Sequence, residues 1–436
     1  MDTENTAAPR ARAWTAGDIA EWRGGWRVVL GAAAGMGTGV ALYIYVSSIF
    51  IGPITREFGW SRGDLALGGM ISFVVGAVAL PLIGRALDRF GFRRIVLVCM
   101  PAMAGVYLAT AMMPAVYWFY IVLVAIGGVF GGGTAGIVYM RPVIATFNRQ
   151  RGLALGLATA GTSIAAMLAP PLLAWVIATA GWRAGFFTMA VLTAGVGLPL
   201  ALALIGRARE SVVRAVDELG ETVAAQTPDV PLREAVRGAR FWLLALALMA
   251  INIPGAGVLG QLAPLVGDLG MGDGEVALVM SVYAAGLLMG RLLTGFALDR
   301  LPAWQVGAVT TIVPAIGILM LMTPSPSFAL AALAVALIGM QQGAELDLFG
   351  FFVSRSFGLT HYGAIYGSIA MAGALSTATA LLLFGEIHDA TGSYDIGLKI
   401  GAAMFCIGAL AFTAIGRTGQ PPSSGAPSRT TTGAAI

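Results

Sequence analysis

Three charged side chains lie inside long apolar stretches in the second half of the sequence. Arg291 lies in one such stretch, and Glu345 and Asp347 lie together in another. If these stretches cross a membrane, each charge costs about 2.5–3.5 kcal/mol and is usually retained for a function. A guanidinium can bind a carboxylate through two parallel hydrogen bonds, and a buried carboxylic acid can exchange a proton. Anion binding and proton exchange are therefore the chemistry to consider first.

The two acids cannot face the same surface, because residues two apart on a helix are separated by about 200°. Glu345 shares its face with Gln341 and Gln342, which is a polar stripe suited to a water-filled cavity. Asp347 shares its face with two glycines, a pattern typical of close helix packing. Glu345 is thus the better candidate for a proton-coupling acid or a partner of Arg291. Asp347 is expected to make a buried structural pair, although it too stays a candidate for proton coupling.

Further polar residues within the apolar stretches are candidates for lining a substrate cavity. Tyr43 and Ser47 are four apart and share one helix face, and Tyr283 precedes Arg291 by eight residues. Asn252 and Gln261 flank a Pro-Gly interruption of the kind that bends a helix at a binding site. Simple hydrogen bonding between helices is an equally good explanation for each of them.

Helices that cross a lipid bilayer must position these residues. The chain is 58% hydrophobic and only 11% charged, whereas soluble domains carry roughly 25% charged residues. Stretches of about 20 apolar residues fit a bilayer core of about 30 Å as helices. The predicted fold is all-α and integral to the membrane, with twelve spans near 28–51, 65–84, 95–113, 117–140, 153–177, 184–205, 241–265, 276–298, 305–322, 328–353, 362–385 and 395–416.

These spans divide the chain into five predicted segments. A polar N-terminal segment (1–27) precedes a six-helix bundle (28–205), and a charged central loop (206–240) precedes a second six-helix bundle (241–416). The tail (417–436), rich in Pro, Ser, Gly and Thr, is expected to be disordered. The polar first 25 residues do not fit a cleavable signal peptide.

The distribution of basic residues predicts the orientation in the membrane. With the N-terminus in the cytoplasm, most of the 26 basic residues lie in cytoplasmic segments, as the positive-inside rule requires. We therefore expect both termini to be cytoplasmic and the membrane to be a bacterial inner membrane. The same rule explains the net charge of +4 without a nucleic-acid partner.

The second half of the sequence repeats the first at a constant displacement of 211 residues. Gly84, Asp88 and Arg89 fall on Gly295, Asp299 and Arg300, and many further Gly, Pro and acidic positions match at the same offset. An even number of spans in each half gives a parallel repeat about an axis along the membrane normal. The intramembrane charges break the repeat, since the positions equivalent to Arg291, Glu345 and Asp347 are uncharged.

The turn that follows the second span runs from Gly84 to Arg94 as G-R-A-L-D-R-F-G-F-R-R. It resembles the G-x-x-x-D-R-x-G-R-R/K signature of the major facilitator superfamily. The resemblance implies that Asp88 interacts with a helix N-terminus in its own half and steadies one conformation. The expected gating residues are Gly84, Asp88, Arg89, Asp299 and Arg300.

The segment Phe147–Gly156 resembles the monocarboxylate and oxalate–formate branch of that superfamily. The resemblance implies that Arg291 pairs with a substrate carboxylate. Two departures put lactate-like chemistry in doubt: the first span lacks a lysine, and Leu287 stands where animal members have Asp. The substrate could be a larger or differently charged organic acid.

The sequence therefore predicts a transporter that moves a small organic anion by alternating access, with proton-coupled uptake as the first hypothesis. An exporter of amphipathic or drug-like compounds is the alternative, and a membrane enzyme is the weakest, because no catalytic motif has a credible context. No cofactor is expected. A metal site is not expected either, because His361 and His388 fall at opposite ends of one span and the two cysteines lie inside apolar runs. A monomer is expected.

Overall fold

A computed structural model describes residues 15–205 and 230–417 as an all-helical protein. The predicted disordered tail, the first 14 residues and most of the predicted central loop lie outside the described residues. The helices are α1 (Ala16–Thr38), α2 (Val40–Phe58), α3 (Arg62–Ala111), α4 (Tyr117–Gly132), α5 (Gly136–Thr146), α6 (Arg151–Val191), α7 (Leu232–Ala235), α8 (Ala239–Gly260), α9 (Leu262–Asp268), α10 (Asp273–Leu298), α11 (Ala303–Leu321), α12 (Phe328–Phe357), α13 (Tyr362–Thr391) and α14 (Asp395–Arg417). After α6 the chain passes through a π-helical turn, Leu192–Gly197.

Two of these helices are too long for a single crossing. A 50-residue helix such as α3 would be about 75 Å long, more than twice the thickness of a bilayer core. Gly91 interrupts α3 and Gly181 interrupts α6, each with a positive φ that favours glycine. We therefore count α3 and α6 as two spans each. We count the bent pair α1 and α2 as one span, and likewise the pair α4 and α5. By this count the described chain has twelve spans.

The first helix begins earlier than the apolar pattern suggests. It starts at Ala16, inside the polar N-terminal segment, because Thr15 and Asp18 form a capping box that satisfies the first free backbone N–H groups. The carboxylate of Glu21 on this extension accepts hydrogen bonds from the backbone N–H groups of Asn148, Arg149 and Gln150, just before α6. The extension is thereby tied to the first half of the chain.

The packing of the apolar core shows where the two halves meet. One cluster combines buried residues of both halves, such as Met140 and Leu348. A second cluster around Phe50 contains only residues of the first half, and a third around Phe384 contains only residues of the second half. The halves are therefore joined at one end of the helices and have separate cores at the other.

We name the two ends by their acidic residues. The carboxylate end is the end where the halves share a core, and it carries Asp88 and Asp299. The opposite end carries Glu57 in the first half and Asp268 in the second. Glu57 accepts hydrogen bonds from Trp182 and Arg183 of its own half, and Asp268 pairs with His388 of its own half, with 3.4 Å between oxygen and Nε2.

Candidate functional site

Asp88 caps a helix of the opposite half. Its two carboxylate oxygens accept hydrogen bonds from the backbone N–H groups of Gly363 (2.9 Å) and Ala364 (2.8 Å), at the start of α13. A negative charge is stabilised there by the free N–H groups and the helix dipole. The expectation of a partner in the same half is therefore wrong, because the turn that bears Asp88 lies at the interface between the halves.

Asp299 makes the equivalent contact in the other direction. Its oxygens accept hydrogen bonds from the backbone N–H groups of Gly152 (2.6 Å) and Leu153 (2.8 Å), at the start of α6 in the first half. All three residues of this contact lie exactly one repeat length from their counterparts around Asp88. The two contacts are thus related by the pseudo-twofold axis, and we call them the reciprocal caps. Burial raises the pKa of Asp299 to about 6, although both hydrogen bonds act in the opposite direction.

The other predicted gating residues lie around these caps. Gly84 brings its helix against the backbone of Gly363, and Gly295 does the same against Gly152, so that neither contact leaves room for a Cβ. Among residues 15–205 and 230–417, Arg89 and Arg300 form no hydrogen bond or ion pair with the other half. Their guanidinium groups lie over the rings of the neighbouring residues Phe90 and Phe296.

Sequence reasoning missed Arg141 in the middle of α5. Its guanidinium lies 3.6 Å from Asp88 and donates to the carbonyl oxygens of Leu87 (2.7 Å) and Leu359 (3.4 Å). Leu359 belongs to the second half, so Arg141 strengthens the same closed interface. In the sequence, Arg141 is a single arginine at the edge of an apolar stretch. Such an arginine is equally well explained as a residue that orients the protein in the membrane, so the sequence alone does not reveal this contact.

Arg291 lies in the interior of the molecule, where α10 of the second half packs against α6 of the first half. We call such a line of contact between the halves a seam. Its side chain is only 3% exposed. The guanidinium donates to the carbonyl oxygen of Thr159 and to the hydroxyl of Thr162, both in the first half. Gly156 permits this close approach, because a Cβ there would lie 2.7 Å from the Arg291 carbonyl oxygen.

The two acids of α12 have different partners, as their opposite faces require. Asp347 is fully buried and accepts a hydrogen bond from the Thr159 hydroxyl at 2.8 Å, so it too faces the first half. Glu345 stays within the second half. It accepts hydrogen bonds from the side-chain amides of Asn252 (3.1 Å) and Gln342 (2.8 Å). Within the described chain, Arg291 forms no ion pair with either acid.

The remaining predicted cavity residues are dispersed. Tyr283 is buried and lies within electrostatic range of Glu345 and Arg291. Gln261 lies towards the opposite end, where it accepts a hydrogen bond from Tyr394 at 3.1 Å. Gln341 lines an outer groove between α10, α11 and α12 whose exposed walls are apolar. It therefore does not join Glu345.

In the first half, Tyr43 and Ser47 lie on α2 and contact their own half. The ring of Tyr43 lies 6.5 Å from that of Tyr107, and the Ser47 hydroxyl donates to the Ile44 carbonyl of its own helix at 3.5 Å. The structure thus brings together five of the predicted residues, Arg291, Tyr283, Glu345, Asp347 and Asn252. With Gln342, which donates to Glu345, we call them the central group. The structure leaves Tyr43, Ser47, Gln261 and Gln341 outside it.

Several buried polar atoms of the central group have no hydrogen-bond partner among the described residues. They are the Nε of Arg291, the hydroxyl of Tyr283, Oε1 of Gln342 and Oδ2 of Asp347. A buried polar group without a partner costs about 1–3 kcal/mol, so such a group normally meets water or a ligand. These four atoms are therefore the candidates in this part of the molecule for contact with water or a ligand.

Comparison with known proteins identifies the family and the fold. The family model described as the Major Facilitator Superfamily matches residues 27–381. Mouse monocarboxylate transporter 11 is 26% identical over 421 residues, which cover 90% of this chain and 88% of the mouse protein. The gallate transporter of Pseudomonas putida is 26% identical, covering 77% of this chain and 83% of the relative. The crystal structure of the Escherichia coli fucose:proton symporter superposes with a TM-score of 0.63 at 14% identity, covering 89% of this chain and 98% of the other, which shows a shared fold.

Proposed function

Because this chain belongs to the major facilitator superfamily and is a membrane transporter rather than an enzyme, we propose that it moves a small organic anion by alternating access. The substrate class is a carboxylate, and the direction is uptake coupled to a proton. The observation that carries the proposal is Arg291, a buried guanidinium between the halves whose Nε has no hydrogen-bond partner among the described residues. A planar guanidinium binds a carboxylate through two hydrogen bonds.

The similar proteins support the same substrate class. One relative is named for monocarboxylates and another for gallate, which is itself a carboxylate. The central group adds amide and hydroxyl side chains to the guanidinium, among them Asn252, Gln342 and Tyr283. Such groups suit an acid that also carries hydroxyl groups.

Glu345 is the proposed proton-coupling acid. Its carboxylate lies in the interior of the second half, held by two amide donors, and it has no basic partner within the described chain. An anion that crosses with one proton moves as a neutral complex, which avoids about 2.3 kcal/mol per charge at 100 mV. Asp347 is a second candidate, since one of its oxygens has no hydrogen-bond partner in the described chain.

The shape of the structure corresponds to one state of the alternating-access cycle. By the positive-inside rule the carboxylate end is cytoplasmic, and it is the end at which the halves share a core. Both termini then face the cytoplasm of a bacterial inner membrane. The present conformation is closed towards the cytoplasm and has separate cores on the outside, as a carrier needs before it receives a substrate.

Exchange of labelled carboxylates across proteoliposomes tests the proposal. We expect counterflow of at least one hydroxylated carboxylate with the unmodified protein and its loss with Arg291→Gln. Arg355→Gln is the matched control, because Arg355 is an exposed arginine whose guanidinium lies over Phe351. If Arg291→Gln exchanges carboxylates as fast as the control, the proposed site is wrong.

A further inference from the structure

Thr159 is the centre of a buried junction between the two halves. Its hydroxyl has one hydrogen, which can be donated to Asp347 at 2.8 Å, and its carbonyl oxygen accepts from Arg291. Thr162, one turn further along α6, offers Arg291 a second acceptor. One helix of the first half therefore binds both a cation and an anion of the second half, away from water.

The other seam between the halves lacks such a junction. It is formed by α3 and α13, and the repeat pairs Thr159 with Ala370 and Thr162 with Gly373. The residues equivalent to Arg291 and Asp347 are Leu80 and Gly136. The α3–α13 seam is held instead by close backbone packing, since a Cβ on Gly367 would lie 2.6 Å from the Leu80 carbonyl oxygen. Close packing at a seam thus does not require the threonines or the charges, which points to another role for them.

The acceptors that Arg291 uses are weak ones for a guanidinium. A carbonyl and a hydroxyl are neutral, so neither adds the attraction between opposite charges, nor the paired two-bond geometry, that a carboxylate offers a guanidinium. A carboxylate that reached Arg291 would compete well with both threonine acceptors. Each bond transferred to the carboxylate would be a bond lost between the halves.

We propose that Thr159 and Thr162 hold Arg291 as a restraint on the α6–α10 seam, and that an anion bound to Arg291 releases it. In the empty carrier the restraint keeps the carboxylate end closed. With an anion on Arg291 the first half loses one of its contacts with the second, and the equilibrium shifts towards opening of that end. Thr162 is then a positioning residue that links occupancy of the site to movement of the halves. The release step rests on the proposed function, whereas the restraint itself does not.

Thr162→Val tests the restraint, because it removes the hydroxyl acceptor and keeps the branched shape. Arg93 and Arg355 are exposed positions of the two halves at the carboxylate end. With Cys99 and the exposed Cys406 replaced by Ala, spin labels on Arg93→Cys and Arg355→Cys report opening by pulsed electron–electron distance measurement. We expect Thr162→Val to raise the open-to-closed ratio of the empty carrier about tenfold, the size expected for one hydrogen bond to a charged group. Thr162→Ser keeps the acceptor and should behave as the unmodified protein.

The matched control is Thr188→Val, since in the part of the chain that the structure describes the Thr188 hydroxyl donates to the Ala184 carbonyl of its own helix and to no residue of the other half. It should leave the distance distribution unchanged. An unchanged distribution in empty Thr162→Val would overturn the restraint, even if carboxylate transport is observed.

Adding a transported carboxylate tests the release. In the unmodified protein it should raise the open population, and in Thr162→Val the further increase should be smaller while the dissociation constant falls several-fold. A carboxylate that binds and leaves the unmodified protein closed would overturn the release. If no carboxylate binds and Thr162→Val still opens the empty carrier, the restraint stands and the proposed substrate class is wrong.

Discussion

Removing either of the reciprocal caps is expected to open the carboxylate end. In the closed state the Asp88 carboxylate occupies two backbone N–H groups at the start of α13, and Asp299 occupies two at the start of α6. Loss of a helix cap typically costs about 0.5–2 kcal/mol. Asp88→Ala should therefore shift the ratio of open to closed carriers by about 2- to 30-fold, and Asp299→Ala should shift it by a similar factor.

The symmetry of the two caps sharpens this expectation. The caps lie on different seams, so their free energies should add, and the double variant should show the product of the two single shifts. The distance between labels at Arg93→Cys and Arg355→Cys measures the shift at the carboxylate end. Labels at Arg56→Cys and Glu275→Cys, exposed on the two halves at the opposite end, should move closer as the first pair separates.

Glu386→Gln is the control for this experiment, since Glu386 is an exposed acid towards the opposite end of α13. It should leave both distance distributions unchanged. Opposite shifts in Asp88→Ala and Asp299→Ala, or a shift in only one of them, would refute the assignment of the caps as equivalent restraints on one closed state.

Three further outcomes follow from the same contacts. Gly84→Ala and Gly295→Ala each place a Cβ against a backbone carbonyl of the other half. Each should shift the equilibrium towards the open carboxylate end by about 1–3 kcal/mol, as read from the same label distances. Gly69→Ala should leave the equilibrium unchanged, because a Cβ there meets nothing within 4 Å. The Asp299 carboxyl has a pKa of about 6 in the closed state and should return towards its ordinary value when the end opens. Its protonation therefore favours the closed state, an effect that is complete below the ordinary value near 3.8 and is lost as the pH rises through 6. Lowering the pH from about 7 to about 5 should increase the closed fraction, and Asp299→Asn should reduce this pH dependence. Gln341→Leu removes a buried amide with no hydrogen-bond partner in the described chain, and it should raise thermal stability by about 1–3 kcal/mol without loss of carboxylate exchange.

The sequence predicted the architecture well, because it depends on patterns that repeat many times. Apolar stretches of bilayer length predicted twelve spans, and the structure and the family agree. The constant displacement of 211 residues predicted that Asp88 and Asp299 play equivalent parts. It could not show which half each carboxylate contacts, because that depends on how the two bundles pack. The motif alone predicted that Asp88 contacts its own half, which is wrong.

The central group was harder to predict, because helix periodicity fixes only the approximate direction of a side chain. Gln341 and Gln342 lie four and three residues before Glu345 on α12, so periodicity places both near its face, and only the packing shows that Gln342 is its hydrogen-bond partner. The partners of Arg291 gave no signal at all. Thr159 and Thr162 are ordinary residues in an apolar helix, and their role appears only when α6 meets α10.

Simultaneous measurement of carboxylate entry and internal pH in proteoliposomes tests the central claim most directly. With the unmodified protein, each carboxylate should enter with one proton, so uptake and internal acidification should rise together beyond the rate of protein-free vesicles. Glu345→Gln should still exchange carboxylate for carboxylate and should lose uptake driven by a proton gradient. Carboxylate entry without acidification in the unmodified protein would contradict proton coupling, and unaltered coupling in Glu345→Gln would exclude Glu345 as the coupling acid.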